Sequence, residues 1–321
     1  MRGVAMRVLV VGFLVACTGG ASEEVSQNDV GAGEWTPDIG WGEDEVDSPT
    51  IEASTFGSPL GLVALDETLI YSDERGVYWN IDIEIDEDWW NILPDVEGAG
   101  QLTLARGGLV VADETAGTVG WLDLDALEIT PIAADLTAPI RIAGDAETVW
   151  WIAGGDATGE LFAWSGEAPQ RVAEGLDEPS GIAVHDGQAY VLEAGSRQVQ
   201  RFALSGDSEV IGETSLDGRG IGVDDAGVIV TTESSRWPFP GWVEDVDLGT
   251  VLCEAPPNPG AVLLTSTHAI FASKQTISMV SRTGGPAANL ALRTDVGAMV
   301  MAGERLVWTD VDTRQVLSLT P

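Results

Sequence analysis

The chain has 321 residues, 44% of them hydrophobic, and 52 acidic residues against 15 lysines and arginines give it a net charge of -37. A nucleic acid or an anionic membrane surface would repel so acidic a protein, which excludes both as partners and leaves cations and basic proteins. The length and the apolar content are sufficient for a large hydrophobic core.

The first residues have the pattern of an export signal. Arg2 and Arg7 flank the start of the apolar run Val8-Leu9-Val10-Val11-Gly12-Phe13-Leu14-Val15. A run of this length is too short to cross a bilayer as a helix and is typical of the central part of a secretory signal peptide. The sequence therefore predicts export from the cytoplasm.

Leu14-Val15-Ala16-Cys17, at the end of that run, resembles the lipobox of bacterial lipoproteins. The resemblance implies a signal peptide over residues 1–16 and attachment of acyl chains such as palmitate to Cys17. Several chains on one residue make a durable membrane anchor, because each buried methylene contributes about 0.8 kcal/mol. In that family the absence of aspartate at the next position, here Thr18, implies export to the outer membrane. An ordinary signal peptide with a chance cysteine is the alternative.

Residues 17–48 form an acidic segment that lacks lysine and arginine and shows no sustained strand or helix period. Such a composition predicts a disordered tether with a root-mean-square reach of roughly 30 Å. If Cys17 is acylated, Cys253 has no partner for an intramolecular disulfide. The fold must then be held together by its apolar core.

From residue 49 onward the chain repeats one pattern seven times. Each unit has a short apolar run, a tight turn bearing Gly, Asp or Glu, and a second run rich in Val, Ile, Trp and Tyr, which is typical of a β-hairpin. A spacing of about 40 residues, with two further short strands per unit, matches a four-stranded propeller blade. The second runs end at Asp73, Asp113, Ala153, Glu193, Glu233, Ser273 and Asp310.

The sequence thus predicts an all-β fold, a seven-bladed β-propeller over residues 49–321. The last unit ends after its third strand, whereas Thr50–Ser54 matches the fourth-strand position of the other units. We expect Thr50–Ser54 to complete the seventh blade. Closing the ring in this way leaves no unpaired edge at the seam.

Two stretches, "GLDEPSGIAVHDGQAYVLEAGSRQVQRFAL" (residues 175–204) and "MAGERLVWTDVDTRQVLSLTP" (residues 301–321), are similar to YWTD-type and NHL-type propeller repeats. Val307-Trp308-Thr309-Asp310 is the nearest match to the tetrapeptide. The resemblance implies a fold and not a chemistry. In such repeats the aspartate is implied to bind the neighbouring blade, and Ala153 and Ser273 depart from that pattern.

The acids that end the second strands are candidate metal ligands. In a propeller the turns between second and third strands share a face with the linkers between blades, and ligands usually bind there. A ring of carboxylates on that face can hold Ca²⁺, which takes about six to eight oxygen ligands. The alternative is that each acid accepts hydrogen bonds from N–H groups of its turn. The candidate ligands are Asp73, Asp113, Glu193, Glu233 and Asp310.

The fifth unit departs from the others in the loop "ESSRWPFPGW", residues 233–242. It contains residue types that dominate interface energetics, and its two prolines lower the entropic cost of binding. We therefore expect a binding surface here, with an aromatic plug over the channel mouth as the alternative. The candidate contact residues are Arg236, Trp237, Phe239 and Trp242.

The sequence contains no HExxH, CxxC or G-x-S-x-G motif, and His185 and His268 fall in turns on the opposite face. We therefore expect a monomeric, non-enzymatic lipoprotein of the cell envelope whose propeller binds an envelope protein or a glycan. The alternative is an enzyme of the lactonase or lyase type that uses a divalent cation held by carboxylates in the central channel.

Overall fold

The computed structural model describes residues 13–14, 49–55, 60–65, 68–80, 89–93, 99–155, 157–234, 241–273 and 275–320. Every regular element in these ranges is a β-strand, and none of them contains a helix long and apolar enough to span a membrane. Apart from Phe13 and Leu14, the predicted signal peptide and the tether up to Ser48 lie outside the described residues.

The strands form seven antiparallel sheets, which confirms the predicted seven-bladed β-propeller. Two strands precede the first blade: β1 (Phe13–Leu14) and β2 (Thr50–Ser54). Blade 1 consists of β3 (Gly61–Leu65), β4 (Thr68–Asp73), β5 (Gly76–Asn80) and β6 (Trp89–Asn91). Blade 2 consists of β7 (Ala99–Ala105), β8 (Gly108–Asp113), β9 (Thr118–Asp123) and β10 (Glu128–Ala133). Blade 3 consists of β11 (Pro139–Gly144), β12 (Val149–Gly154), β13 (Thr158–Trp164) and β14 (Gln170–Asp177).

The remaining blades repeat this order. Blade 4 consists of β15 (Pro179–His185), β16 (Gln188–Glu193), β17 (Gln198–Phe202) and β18 (Ser208–Glu213). Blade 5 consists of β19 (Asp217–Asp224), β20 (Gly227–Glu233), β21 (Gly241–Asp245) and β22 (Thr250–Ala255). Blade 6 consists of β23 (Val262–Leu264), β24 (His268–Ala272), β25 (Thr276–Ser281) and β26 (Ala288–Leu292). Blade 7 takes β27 (Val296–Ala302), β28 (Arg305–Asp310) and β29 (Gln315–Leu319).

The order of strands in each sheet defines two faces of the ring. The first strand of a blade lies nearest the central axis and the fourth lies at the rim. We call the face that carries the turns between first and second strands the 1–2 face, and it also carries the turns between third and fourth strands. We call the opposite face, with the turns between second and third strands and the linkers between blades, the 2–3 face.

Each blade packs against a neighbour on both of its sides. In β12, Trp150 packs with Val191 of blade 4, whereas the next residue, Trp151, packs with Val110 of blade 2. Successive side chains of a strand point to opposite sides of the sheet, so a strand buried on both sides is apolar at every position. Both tryptophans are fully buried. This explains why the second run of each unit is continuously hydrophobic.

The ring is closed by β2, which forms the outer strand of blade 7. Thr50 pairs with Ser318 and Ser54 pairs with Gln315, antiparallel to β29. The predicted role of Thr50–Ser54 is therefore confirmed. Without β2, the outer edge of β29 would present unpaired backbone N–H and C=O groups.

Glu52 connects this closing strand to the rest of blade 7 through its side chain. Its carboxylate accepts hydrogen bonds from Nη1 of Arg305, at 2.9 Å, and from the hydroxyl of Ser318. The Glu52 side chain is only 6% exposed and that of Arg305 is 27% exposed. The closure therefore includes a shielded ion pair as well as backbone hydrogen bonds.

Phe13 and Leu14 form a two-residue strand at the inner edge of blade 7, antiparallel to β27. Phe13 pairs with Met299 and Leu14 pairs with Ala298. This position is the innermost in that sheet, next to the axis of the ring.

We predict that Glu52→Ala lowers the free energy of unfolding by about 2 kcal/mol, because it leaves the Arg305 guanidinium and the Ser318 hydroxyl without their acceptor. Ile51→Ala, in the same strand at a half-exposed side chain, is the matched control and should change it by about 0.5 kcal/mol or less. Urea unfolding of both variants measures the difference. Equal effects of the two substitutions would contradict a specific role of Glu52.

Candidate functional site

The five acids predicted to ligate a metal all lie at the ends of second strands, on the 2–3 face. They end β4, β8, β16, β20 and β28 at equivalent positions of five blades. The repeat pattern predicted correctly that each acid ends a second strand. Their surroundings decide whether they are available to a ligand.

Three of these acids accept hydrogen bonds from the turn that follows them. Oδ1 of Asp73 accepts the N–H of Arg75 at 2.8 Å, and Oδ1 of Asp113 accepts that of Ala116 at 2.7 Å. Oδ1 of Asp310 accepts the N–H of Thr313 at 2.9 Å. All three side chains are buried. These carboxylates stabilise the turns between second and third strands, as the structural alternative predicts.

Glu193 makes the most complete set of contacts. Its Oε2 accepts hydrogen bonds from Oγ of Ser196 and from Nε2 of Gln200, at 2.7 and 2.9 Å. Its Oε1 accepts the N–H of Asp177, at the end of the outer strand of blade 3, at 3.0 Å. The carboxylate therefore ties blade 4 to the preceding blade. Glu233 differs, because it pairs with the half-exposed Arg219 at 2.8 Å.

The structure does not bring these acids together around a common point. Among the described residues, one group of at least three histidine, cysteine or acidic side chains has ligand atoms within 4.8 Å of one another, and it contains none of the five. A Ca²⁺ site formed by the five acids remains a prediction. Four of the five carboxylates, those of Asp73, Asp113, Glu193 and Asp310, accept hydrogen bonds within the protein, which is the alternative to metal binding.

The loop of blade 5 is shorter at both ends than the predicted range, residues 233–242. Strand β20 continues to Glu233 and β21 begins at Gly241, so Trp242 lies in a strand and pairs with Thr232 and Glu254. Its side chain is half-buried. The other predicted contact residues, Arg236, Trp237 and Phe239, lie outside the described residues, as does Cys17. Their binding role stays a prediction, and the strand ends that flank the loop, Glu233 and Gly241, lie on the 2–3 face.

Cys253 lies on β22, the outer strand of blade 5. It packs against the apolar cluster shared with blade 6, which includes Phe271 and Val280. Burial, with a smaller contribution from Glu254, raises the pKa of the Cys253 thiol to about 12. The thiol is therefore protonated at neutral pH and unsuited to act as a nucleophile.

A cavity on the 1–2 face lies between blades 3 and 4, where sequence analysis proposed no site. It has a volume of about 640 Å³, within the range of small-molecule sites. Its wall is formed by the turns between β11 and β12, between β15 and β16 and between β17 and β18. The lining residues that carry polar or charged side chains are Asp145, Glu147, Thr148, His185, Asp186 and Gln188, and Val184 and Leu204 add apolar surface.

Asp145 joins two of the three turns that form the cavity wall. Its Oδ1 accepts the N–H groups of Glu147 and Thr148, and its Oδ2 accepts the N–H of Gly187 from blade 4 at 2.7 Å. Burial acts to raise the pKa of Asp145, but these hydrogen bonds outweigh it and hold the pKa below its ordinary value. The carboxylate is thus ionised at neutral pH.

The turn between β15 and β16 is a two-residue hairpin turn formed by Asp186 and Gly187. Both residues have positive φ angles, 50° and 72°, which this tight turn requires and which Asp-Gly sequences favour. The bond from Gly187 to Asp145 fixes the turn against blade 3. The His185 and Asp186 side chains are consequently carried by a well-defined backbone.

His185 is positioned by blade 5 on its other side. Its Nε2 lies 3.1 Å from Oδ1 of Asp225, in the turn between β19 and β20, and 3.8 Å from Oδ2 of Asp186. These three residues form the group of close ligand atoms mentioned above. His185 lies on the face opposite the predicted site, as the sequence indicated, but it ends β15 and does not lie in the turn. No local pattern indicated its proximity to Asp225.

No protein-family model matches the chain, and no curated protein matches it. Among solved structures, it is similar to a catalytically inactive virginiamycin B lyase from Staphylococcus aureus with quinupristin, with a TM-score of 0.68 and 13% identity over 85% of this chain and 98% of that one. The WD40 domain of Neurospora crassa Pan2 gives a TM-score of 0.64 and 10% identity over 86% and 97% of the two chains. A chain of a mitotic checkpoint complex gives 0.66 and 10% over 95% and 99%.

These likenesses show the fold, a β-propeller built of repeats. A lyase and a WD40 domain share it with this chain at comparable similarity, so the fold alone does not select between catalysis and binding. The choice depends on the side chains of this chain and on where the ring carries them.

We predict that Glu193→Ala lowers the free energy of unfolding by about 2 kcal/mol, because it removes a buried carboxylate that accepts hydrogen bonds from three donors. Glu233→Ala should cost less than about 1 kcal/mol, because its partner Arg219 is half-exposed. Urea unfolding in the presence of EDTA measures both. A Ca²⁺-bound ring would instead give similar losses for the two variants, and only when Ca²⁺ is present.

Proposed function

We propose that this protein is a membrane-tethered binding platform of the cell envelope. Acylated Cys17 anchors it to the outer membrane, residues 17–48 act as an acidic tether, and the propeller over residues 49–321 binds a protein or a glycan through its 2–3 face. The observation that supports this arrangement is the position at which the tether enters the ring.

The tether joins the propeller at the rim and on the 1–2 face. β2 is the outer strand of blade 7, and its first residue, Thr50, pairs with Ser318 near the end of β29. Its last residue, Ser54, pairs with Gln315, which follows the turn on the 2–3 face. The point of attachment therefore lies at the opposite end of the strand from the 2–3 face, and that face is left free for a partner.

The loop after β20 supports the choice of the 2–3 face. Loops on a rigid scaffold commonly carry binding residues, and this scaffold is closed and packed on both sides of every blade. The loop contains Arg236, Trp237 and Phe239, and Trp242 follows it at the start of β21. Aromatic and arginine side chains at the edge of such a loop are the usual sources of interface affinity.

The charge of the protein limits the choice of partner. Several described arginines already pair with acids, including Arg197 with Asp217 and Arg171 with Glu160. A surface with so large an acidic excess attracts a partner with a basic patch and repels an acidic one. We therefore favour a basic envelope protein over an acidic glycan.

Lyase or lactonase catalysis is the weaker proposal. It needs a cation in the channel, but Asp73, Asp113 and Asp310 each accept an N–H group of their own turn. The likeness to virginiamycin B lyase is one of fold.

We predict that Cys17→Ser abolishes acylation and moves the protein from the membrane fraction to the soluble envelope fraction. The reason is that the resemblance to a lipobox implies acylation of the Cys17 thiol. Membrane fractionation and mass spectrometry of the mature N-terminus measure both effects. Thr18→Ser, at the next residue, is the control and should leave the protein in the membrane fraction. A Cys17→Ser protein that stays in the membrane fraction would contradict anchoring through this cysteine.

We predict that a photo-crosslinking residue at position 237, in the segment that joins β20 to β21, captures a basic envelope protein in living cells. Trp242→Ala should reduce this product at least about tenfold, because removing an interface aromatic costs more than about 1.4 kcal/mol. Trp164→Ala is the matched control, since Trp164 is also half-buried and lies at the end of β13 on the 1–2 face. The product should also diminish as ionic strength rises. An equal loss with Trp164→Ala, or capture from the 1–2 face alone, would contradict the proposed surface.

A further inference from the structure

His185, Asp186 and Asp225 form a compact donor set on the 1–2 face, between blades 4 and 5. Nε2 of His185 lies 3.1 Å from Oδ1 of Asp225 and 3.8 Å from Oδ2 of Asp186. The three ligand atoms all lie within 4.8 Å of one another. The set combines one imidazole nitrogen with two carboxylate oxygens from two different blades.

These separations suit one metal ion. For a metal with bonds of about 2.0 to 2.1 Å, neighbouring ligand atoms in a tetrahedral site lie about 3.3 Å apart. The two distances measured from Nε2 fall on either side of that value, and the two carboxylate oxygens lie within 4.8 Å of each other. Rotation of the carboxylates can therefore bring all three ligand atoms to bonding distance of one ion. The Asp186 and Asp225 carboxylates are highly exposed, at 85% and 97%, and are free to make these rotations.

The imidazole, in contrast, is held in place. The His185 side chain is 27% exposed, and it directly precedes the turn whose Gly187 N–H binds Asp145. On the blade 5 side, the N–H of Ala226 donates to Oδ1 of Asp224 at 2.9 Å, and Arg282 of blade 6 donates to Oδ2 of Asp224. The two turns that carry the donors are therefore fixed by their neighbours, which lowers the entropic cost of binding an ion.

A cavity adjoins the donor set. His185 and Asp186 are part of the wall of the 640 Å³ cavity between blades 3 and 4. Three protein ligands leave at least one coordination position of a transition metal open, which is the arrangement of sites that bind a further ligand through the metal. The donor set thus lies where a small molecule has room to enter.

The ligand types favour a transition metal over Ca²⁺. Ca²⁺ prefers a shell made of oxygen atoms alone, whereas an imidazole with carboxylates suits Zn²⁺ and similar divalent ions. Two carboxylates also supply the charge that balances a divalent cation. We propose that His185, Asp186 and Asp225 bind one divalent transition-metal ion, Zn²⁺ or an ion of similar preference, at the edge of the cavity. This site is separate from the predicted Ca²⁺ ring and from the proposed partner surface on the 2–3 face.

A titration of the full chain, purified in detergent and freed of metal with a chelator, tests the proposal. Zn²⁺ binding is measured by calorimetry at about pH 7.5, and Co²⁺ is used as a spectroscopic probe because its visible absorption reports the ligand set. The variants are His185→Ala, Asp225→Asn and Asp186→Asn, the last chosen because asparagine tolerates the positive φ angle of this position. His268→Ala is the matched control, since His268 follows the equivalent turn of blade 6.

We expect one saturable site per chain in the wild type and in His268→Ala, and at least about tenfold weaker binding in His185→Ala and Asp225→Asn. Asp225→Asn changes an exposed side chain and should fold normally, which keeps the test valid if His185→Ala is unstable. The proposal is overturned if the wild type binds no Zn²⁺ beyond the weak association expected of an acidic surface. It is also overturned if Asp225→Asn, in a folded state, binds Zn²⁺ and Co²⁺ as the wild type does, which would mean that the three residues form only a protein ion pair.

Discussion

Each blade of this propeller is apolar on both of its sides, and this constraint governs the rest of the structure. Trp150 and Trp151 are adjacent in sequence, yet they pack into the cores that blade 3 shares with blade 4 and with blade 2. A blade with only one neighbour would expose half of this surface to water. The ring must therefore close, and the closing strand β2 allows blades 7 and 1 to bury the surface they share, which includes Val307 and Tyr71.

Closure also fixes how the ring is oriented with respect to the proposed tether. Because the closing strand comes from the beginning of the folded domain, the preceding residues are attached at the rim of blade 7. Thr50 lies at the 1–2 end of that strand, so the ring presents its 2–3 face away from the attachment point. The proposed partner surface at that face and the proposed metal site at the other face would therefore serve different ligands without competing for the same position.

The acidic residues serve two different purposes. Carboxylates at the ends of second strands, such as those of Asp113 and Glu193, are buried and accept hydrogen bonds from the backbone or from neighbouring side chains. The carboxylates of Asp186 and Asp225 are exposed and lie beside an imidazole. Net charge counts both kinds equally, but the buried kind already accepts hydrogen bonds from the protein, whereas the exposed kind faces solvent. The predicted ring of five metal ligands was based on the repeat position alone, which does not distinguish between them.

The repeat pattern alone determined the all-β fold class, the number of blades and the identity of Thr50–Ser54 as the closing strand. Hydrophobic periodicity and a fixed spacing are properties of the local chain, so the sequence is sufficient to show them. The same local reasoning placed His185 on the 1–2 face, although the residue ends β15 and the turn consists of Asp186 and Gly187. It extended the blade 5 loop to Trp242, because it could not show that Gly241 pairs with Ala255 and Trp242 pairs with Thr232. Only the tertiary structure brought Asp145 to Gly187 and His185 to Asp225, across separations of 42 and 40 residues. Equivalent turns of successive repeats lie side by side once the ring has closed, so a site between blades comes from residues that are one repeat apart and that no local pattern connects.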